Sequence, residues 1–149
     1  MNERHKNIPA CYLYLKKNNQ ILLLRRFNTG FEDGNYFFVS GHLDGGESFT
    51  DAMIREAKEE AGIDIKFEDL KVVHVMHRTR ENEINNERID VFFTTDKWVG
   101  EIKNMELNKC DDLSWFDMEN LPENITLYVK KAIDCIELGE FYSEDGWGK

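Results

Sequence analysis

The sequence predicts an α/β (α+β) chain in which α-helices pack against a mixed β-sheet. Three observations carry this expectation. Short apolar runs separated by polar turns fill the N-terminal third, a well-marked helix follows a glycine-rich segment, and a second amphipathic helix lies near the C-terminus.

In chain order, residues 10–15 and 20–27 are runs rich in Leu, Ile and Tyr, and the turn-prone KKNN of residues 16–19 between them predicts a hairpin. Residues 28–35, with Gly30, Asp33 and Gly34, read as a loop. Residues 36–39 read as a short aromatic strand that runs into the glycine-rich GHLDGG of residues 41–46. A helix follows, with Ser48 or Thr50 as its cap, Ile54, Ala57 and Ala61 on one stripe, and Gly62 as its end. Residues 70–80 and 88–95 alternate as strands around the polar loop ENEINNE, and residues 112–116 form another short strand. Residues 124–138 close the series as a helix that buries Ile125, Tyr128, Val129, Ala132, Ile133 and Ile136 and has Gly139 beyond its end. The tail from Phe141, FYSEDGWGK, carries aromatics with no pattern that assigns them a partner.

The 149 residues suit one domain over 1–149, at roughly 150 residues per domain. A net charge of −10 argues against polymeric nucleic acid, whose binding needs a basic surface. A small anionic substrate stays compatible, because bound divalent cations reverse the local field. The charge is uneven: residues 1–31 hold Arg4, Lys6, Lys16, Lys17, Arg25 and Arg26 against Glu3 alone, so the acids concentrate downstream. The longest apolar run, residues 10–15, is far short of the ~20 residues a membrane span needs. With no apolar leader at the N-terminus and three cysteines in no CxxC spacing, a cytoplasmic protein is expected.

Glu56, Glu59 and Glu60 stand at i, i+3 and i+4 of the first helix, so three carboxylates share one face. Like charges so placed repel, and a hard cation such as Mg²⁺ or Mn²⁺ among them, completed by a backbone carbonyl and waters, accounts for the set. A solvated acidic helix face is the competing explanation. Arg55 can hold one of the carboxylates through a bidentate contact.

The surrounding spacing decides between these. Residues 41–63, GHLDGGESFTDAMIREAKEEAGI, fit G-x5-E-x7-R-E-U-x-E-E-x-G-U at every defined position, with Ala57 and Ile63 as the apolar U residues. At roughly one in fifteen per fixed residue, a chance match is on the order of 10⁻⁸ per window. This segment resembles the Nudix box, and the flanking strands and final helix resemble the Nudix arrangement, a mixed sheet sandwiched between helices. The resemblance implies a hydrolase of a nucleoside diphosphate linked to a moiety X. It also implies that the Gly41 carbonyl, Glu56, Glu59 and Glu60 bind Mg²⁺ (or Mn²⁺), that Glu47 supports the metals, and that Arg55 orients a glutamate. Glu56 and Glu59 are the two candidates for the base that activates water. Two departures stand out. Ser40 occupies the place before the box glycine where the family often has Pro, and the later acid that many members use falls among Glu101, Glu106, Asp111 and Asp112. Glu106 is favoured by its place in the stretch before the Trp115-Phe116 strand, with an exposed loop glutamate as its competing explanation.

Beyond the box, ADP-ribose hydrolases of the family commonly carry a downstream Pro, yet the chain has only Pro9 and Pro122. The Tyr of the dinucleoside polyphosphate group and the Arg-rich signature of the coenzyme A group are also missing. The expectation is therefore a MutT-like nucleoside triphosphate pyrophosphohydrolase, acting on ordinary or oxidised triphosphates and releasing a nucleoside monophosphate and pyrophosphate. Hydrolysis of ADP-ribose, nucleotide sugars or dinucleoside polyphosphates is the alternative, and a non-catalytic nucleotide sensor the alternative of another class. Asn124 resembles the MutT residue that reads a purine edge, although Asn also suits an N-cap there. Arg25 and Arg26 are candidate phosphate contacts. Tyr36, Phe38 and Trp98 are candidates for base stacking against a core role. His42, His74 and His77 are disfavoured as ligands, since carboxylates already suit a hard cation. The partner is thus a small nucleotide, with no membrane and a monomer or homodimer expected.

Overall fold

The computed structural model describes residues 3–80 and 86–148. The first five residues of the polar ENEINNE loop fall outside that set.

Strands β1 (Ile8–Leu13), β2 (Lys16–Lys17), β3 (Gln20–Arg26), β4 (Tyr36–Phe37) and β5 (Val39–His42) precede helix α1 (Phe49–Ala61). Strands β6 (Lys71–Arg78), β7 (Arg88–Thr94) and β8 (Cys110–Asp117) follow, then helix α2 (Leu127–Glu137) and strand β9 (Tyr142–Asp145). The main sheet is mixed, with order β5-β1-β7-β6-β9; β1 pairs antiparallel with β5 and parallel with β7. In a second sheet, β8 runs along β3 on one edge while the short β2 and β4 share the other.

The hairpin lies inside KKNN. Lys16 and Lys17 pair back onto Ile21 and Gln20, so the turn is Asn18-Asn19, whose φ values of 53° and 60° give the two left-handed positions of a tight hairpin. β1 and β3 consequently belong to different sheets.

The two helices cover opposite faces of the main sheet. Tyr12 Oη lies 3.3 Å from Tyr128 Oη on α2, whereas the adjacent Cys11 faces Gly41 and the field of Glu56 on α1. Successive strand residues point to opposite faces, which puts the sheet between the helices. Leu13, Phe38, Met53, Ile63 and Phe92 are among the side chains that fill the core.

The helix ends are decided by their hydrogen bonds. Ser48 Oγ, rather than Thr50, caps α1 by accepting from Asp51 N at 3.1 Å, and Gly62 ends it at φ 71°. α2 begins at Leu127, three residues later than its periodicity suggests. Tyr36 bridges to Ile125 ahead of the helix, donating its N–H to Asn124 O and accepting at its carbonyl from Thr126 N.

The tail is a strand in the structure. β9 pairs in parallel with β6, and the buried His74 spans the two, with Nδ1 2.9 Å from Glu140 O and Nε2 2.7 Å from Ser143 Oγ. Trp147 packs on His77, ring centroids 4.7 Å apart, and donates Nε1–H to the His77 carbonyl. Among the described residues no helix is long and apolar enough to cross a membrane.

Candidate active site

β5 delivers Gly41 against the acidic face of α1. A Cβ at Gly41 would overlap the Glu56 carboxyl group, so any larger residue would force the Glu56 side chain to move. The neighbouring Ser40 N–H donates to Glu60 Oε1 at 2.7 Å.

Arg55 organises the remaining acids. Its Nε and Nη2 donate to the two oxygens of Glu47 at 3.0 and 3.1 Å, a bidentate contact that holds Glu47 below the ordinary carboxylate range. Nη1 donates to Glu56 Oε1 at 2.7 Å and to Glu59 Oε2 at 3.3 Å. Glu47 also accepts from Asp44 N and does not line the acidic cavity. Both of its oxygens are engaged by Arg55.

The loop after β7 brings the fourth acid. Lys103 N and Met105 N donate to the Ala61 and Glu60 carbonyls, satisfying the end of α1 and setting Glu106 beside its glutamates. Of the four downstream acids, Glu106 lines the cavity with Glu56, Glu59 and Glu60, whereas Asp111 pairs with Arg25, Asp112 binds Tyr36, and Glu101 lies beside Trp98. The acidic cavity measures about 250 Å³, and Arg26 and Lys109 also line it.

Burial pushes Glu56 up to about 7, against the lowering effect of Arg55, and the charges of Glu59 and Glu106 add to the rise. Burial likewise raises Glu60 well above the ordinary range, against the Ser40 hydrogen bond and reinforced by Glu56 and Glu106. Such a set favours bound cations. Among the described residues no group of three or more His, Cys, Asp or Glu side chains stands ready-made to hold a metal ion. An open arrangement suits Mg²⁺, which keeps waters and takes substrate oxygens, and the donors present are the hard oxygens it prefers. Glu56, Glu59, Glu60, Glu106 and the Gly41 carbonyl fit that role.

These shifts fix the pH dependence of the chelator-treated protein. Below Glu56's ordinary value of 4.5, folded and unfolded chains both hold the proton; above it the unfolded chain releases first, so stability is lost as pH rises towards about 7. Between about pH 5 and pH 8 the Tm of the wild type should fall roughly 5 °C further than that of Glu56→Gln, with Mg²⁺ restoring most at the higher pH. Scanning fluorimetry checks this, and equal slopes for the two proteins would contradict it.

A second cavity of about 370 Å³ adjoins the first. Tyr12, Phe31, Phe37 and Tyr128 line it together with Arg26, Ser40, Gly41, His42 and Arg88. Arg26 and Ser40 line both cavities. Arg26 sits over Phe31 and Phe37 at 5.4 and 5.0 Å and donates Nε–H to Phe31 O. Arg25 points to the other face of β3, where it pairs with Asp111 at 2.7 Å and lies over Tyr36; the structure does not bring it to the site.

Asn124 is neither an N-cap nor a lining residue of either cavity: its Nδ2 donates to Gly34 O at 2.7 Å, tying down the loop that carries Phe31. Phe38 is core, Tyr36 is buried and bonded to Asp112, and Trp98 stacks on Trp115 elsewhere. His42 lines the aromatic cavity with Nε2 3.0 Å from Arg88 Nη1, and burial together with that guanidinium lowers its pKa. The aromatic walls and Arg88 come from four separate segments, and no local spacing marks them.

The NUDIX domain family matches residues 4–135. The chain belongs to the NUDIX family. Relatives include an ADP-ribose pyrophosphatase from Methanocaldococcus jannaschii, 31% identical over 73% of this chain and 61% of that protein. An NAD-capped RNA hydrolase NudC from Vibrio parahaemolyticus is 26% identical over 76% of this chain and 40% of that protein. This NUDIX chain thus spans about 61% and 40% of the length of those two relatives. The crystal structure of a MutT NUDIX hydrolase from Burkholderia pseudomallei superposes with a TM-score of 0.78 at 22% identity, covering 87% of this chain and 97% of that one. It shares the NUDIX fold. NUDIX hydrolases generally use divalent metal ions such as Mg²⁺.

Proposed function

We propose that this NUDIX chain is a Mg²⁺-dependent hydrolase of nucleoside diphosphates linked to X, with nucleoside triphosphates as its substrates. The observation that carries this reading is the junction of the two cavities at Ser40 and Arg26. A base stacks among Tyr12, Phe31, Phe37 and Tyr128, the diphosphate crosses at Arg26, and the reacting phosphorus comes to the four glutamates.

Bound divalent ions would neutralise the diphosphate and lower the pKa of a coordinated water. Glu56, Glu59, Glu60, Glu106 and the Gly41 carbonyl would hold those ions. Water oxygen attacks phosphorus in line, the bond to the bridging oxygen breaks, and the water proton passes to Glu56 or Glu59. With a triphosphate cut at its α-phosphorus, the products are a nucleoside monophosphate and pyrophosphate. Arg55 keeps Glu56 and Glu59 oriented throughout.

A second reading, hydrolysis of ADP-ribose, is favoured by the name of the M. jannaschii relative. Its X is a neutral ribose, which leaves as ribose 5-phosphate, and the chain lacks the downstream Pro common in that group. The protein is read as a cytoplasmic monomer or homodimer, where its three buried free thiols stay reduced.

The test is a screen of triphosphates, oxidised triphosphates, nucleotide sugars, ADP-ribose and dinucleoside polyphosphates with and without Mg²⁺. Triphosphate hydrolysis yielding pyrophosphate only with Mg²⁺ is the expected result. Turnover of ADP-ribose or dinucleotides alone overturns the substrate assignment, and binding without turnover of any of them overturns catalysis in favour of a sensor.

A further inference from the structure

The residues that line the acidic cavity include an exposed lysine. Lys109 lines it with Glu56, Glu59, Glu60 and Glu106, yet among the described residues its Nζ makes no ion pair, while Arg55 contacts four carboxylates.

Lys109 is held there by a fixed turn. Asn104 Oδ1 accepts from Glu106 N at 3.0 Å, and its Nδ2 donates to Cys110 O at 2.7 Å, so one side chain clasps both ends. Lys109 N and Cys110 N donate to Glu106 O, and Phe27 N from the end of the second sheet donates to Lys109 O. Glu106 and Lys109 are therefore presented together by one braced turn.

Its place relative to the aromatic cavity gives Lys109 a direction. Arg26 and Ser40 line both cavities, whereas Lys109 lines the acidic one alone. A substrate with its base among the aromatics and its diphosphate at Arg26 extends X towards Lys109. An ammonium is a compact point charge that rewards an anionic X, such as terminal phosphate, and gives a neutral sugar little.

We propose that Lys109 is a specificity-determining residue that selects substrates whose X is a phosphate chain. This rests on the hydrolase reading above and adds which X is preferred. If Lys109 merely offset the surrounding acids, its removal would tighten Mg²⁺ binding and change all substrates alike.

Lys109→Met and Lys109→Arg are compared with wild type, in Mg²⁺, on a nucleoside triphosphate and a nucleoside diphosphate hexose sharing one base. For Lys109→Met the triphosphate KM should rise about tenfold with kcat within about threefold, the hexose KM should rise less than about twofold, and Lys109→Arg should recover most of the loss. Calorimetry with pyrophosphate and Mg²⁺ should show binding about tenfold weaker in Lys109→Met. Equal KM changes on both substrates, pyrophosphate affinity unaltered by the substitution, or no pyrophosphate binding by the wild type overturns the assignment. Should the wild type hydrolyse neither substrate, the hydrolase reading fails, and the pyrophosphate titration still decides the role of Lys109.

Discussion

Replacing Glu60 by Gln is expected to lower kcat on a nucleoside triphosphate with Mg²⁺ by about 10³-fold, or about 4 kcal/mol of transition-state stabilisation. The isostere keeps the volume and the acceptor that Ser40 N–H bonds at 2.7 Å, so the loss isolates the charge. Burial already disfavours that charge in the folded chain. The variant should therefore be no less stable than the wild type without metal while binding Mn²⁺ more weakly, which separates a ligand from a structural residue. Glu59→Gln should behave alike in activity. Glu47→Gln acts through Arg55 and should cost only about 10–100-fold. Steady-state kinetics with a Mn²⁺ titration measures all three, and wild-type turnover by Glu59→Gln or Glu60→Gln would refute the metal role.

The largest expected stability effect lies beneath the aromatic cavity. Arg78 and Asp90 form a buried ion pair, Nε to Oδ2 at 2.8 Å, with side chains 3% and 0% exposed. The Arg78 guanidinium stacks 3.7 Å from the Tyr128 ring centroid, and Nη2 lies 3.4 Å from Tyr12 Oη, so the pair also supports two walls of that cavity. Among the described residues Asp90 Oδ1 has no hydrogen-bond partner, and burial pushes the Asp90 carboxyl up against the pull of Arg78. Arg78→Leu leaves a desolvated carboxylate and should cost about 3–5 kcal/mol, lowering Tm by roughly 10 °C. Arg78→Leu with Asp90→Leu removes both charges and should recover more than half of that loss. Denaturant titration of the single and double variants closes the cycle, and additive losses would show that the pair is not coupled.

Much of the acidic half of the site was legible because its geometry is local. Glu56, Glu59 and Glu60 share a face through helical periodicity alone, and Gly62 marks the helix end with its positive φ. The neighbouring arginines show where such reasoning stops. Strand alternation puts Arg25 and Arg26 on opposite faces of β3, but which one meets the acids depends on the side of that sheet packed towards α1. Glu106 could not be separated from Glu101, Asp111 and Asp112 by spacing, because the Met105 to Glu60 hydrogen bond that places it links residues far apart in sequence.

Asn124 had two local explanations, a cap and a base reader, and a long-range bond to Gly34 O replaces the first. The tail strand Tyr142–Asp145 had no apolar alternation to announce it, since its order comes from the edge of β6 and the side chains of His74 and His77.

The sequence by itself determined the family, the fold class, and the helix face that carries Glu56, Glu59 and Glu60, all encoded within a few turns of chain. Only the tertiary structure decided that Gly41 abuts Glu56, that Arg26 rather than Arg25 joins the two cavities, and that Tyr12, Phe31, Phe37 and Tyr128 make one aromatic wall. The division has a physical cause. Local periodicity fixes which residues share a face of one element, whereas which faces meet depends on burying apolar surface between elements distant in sequence.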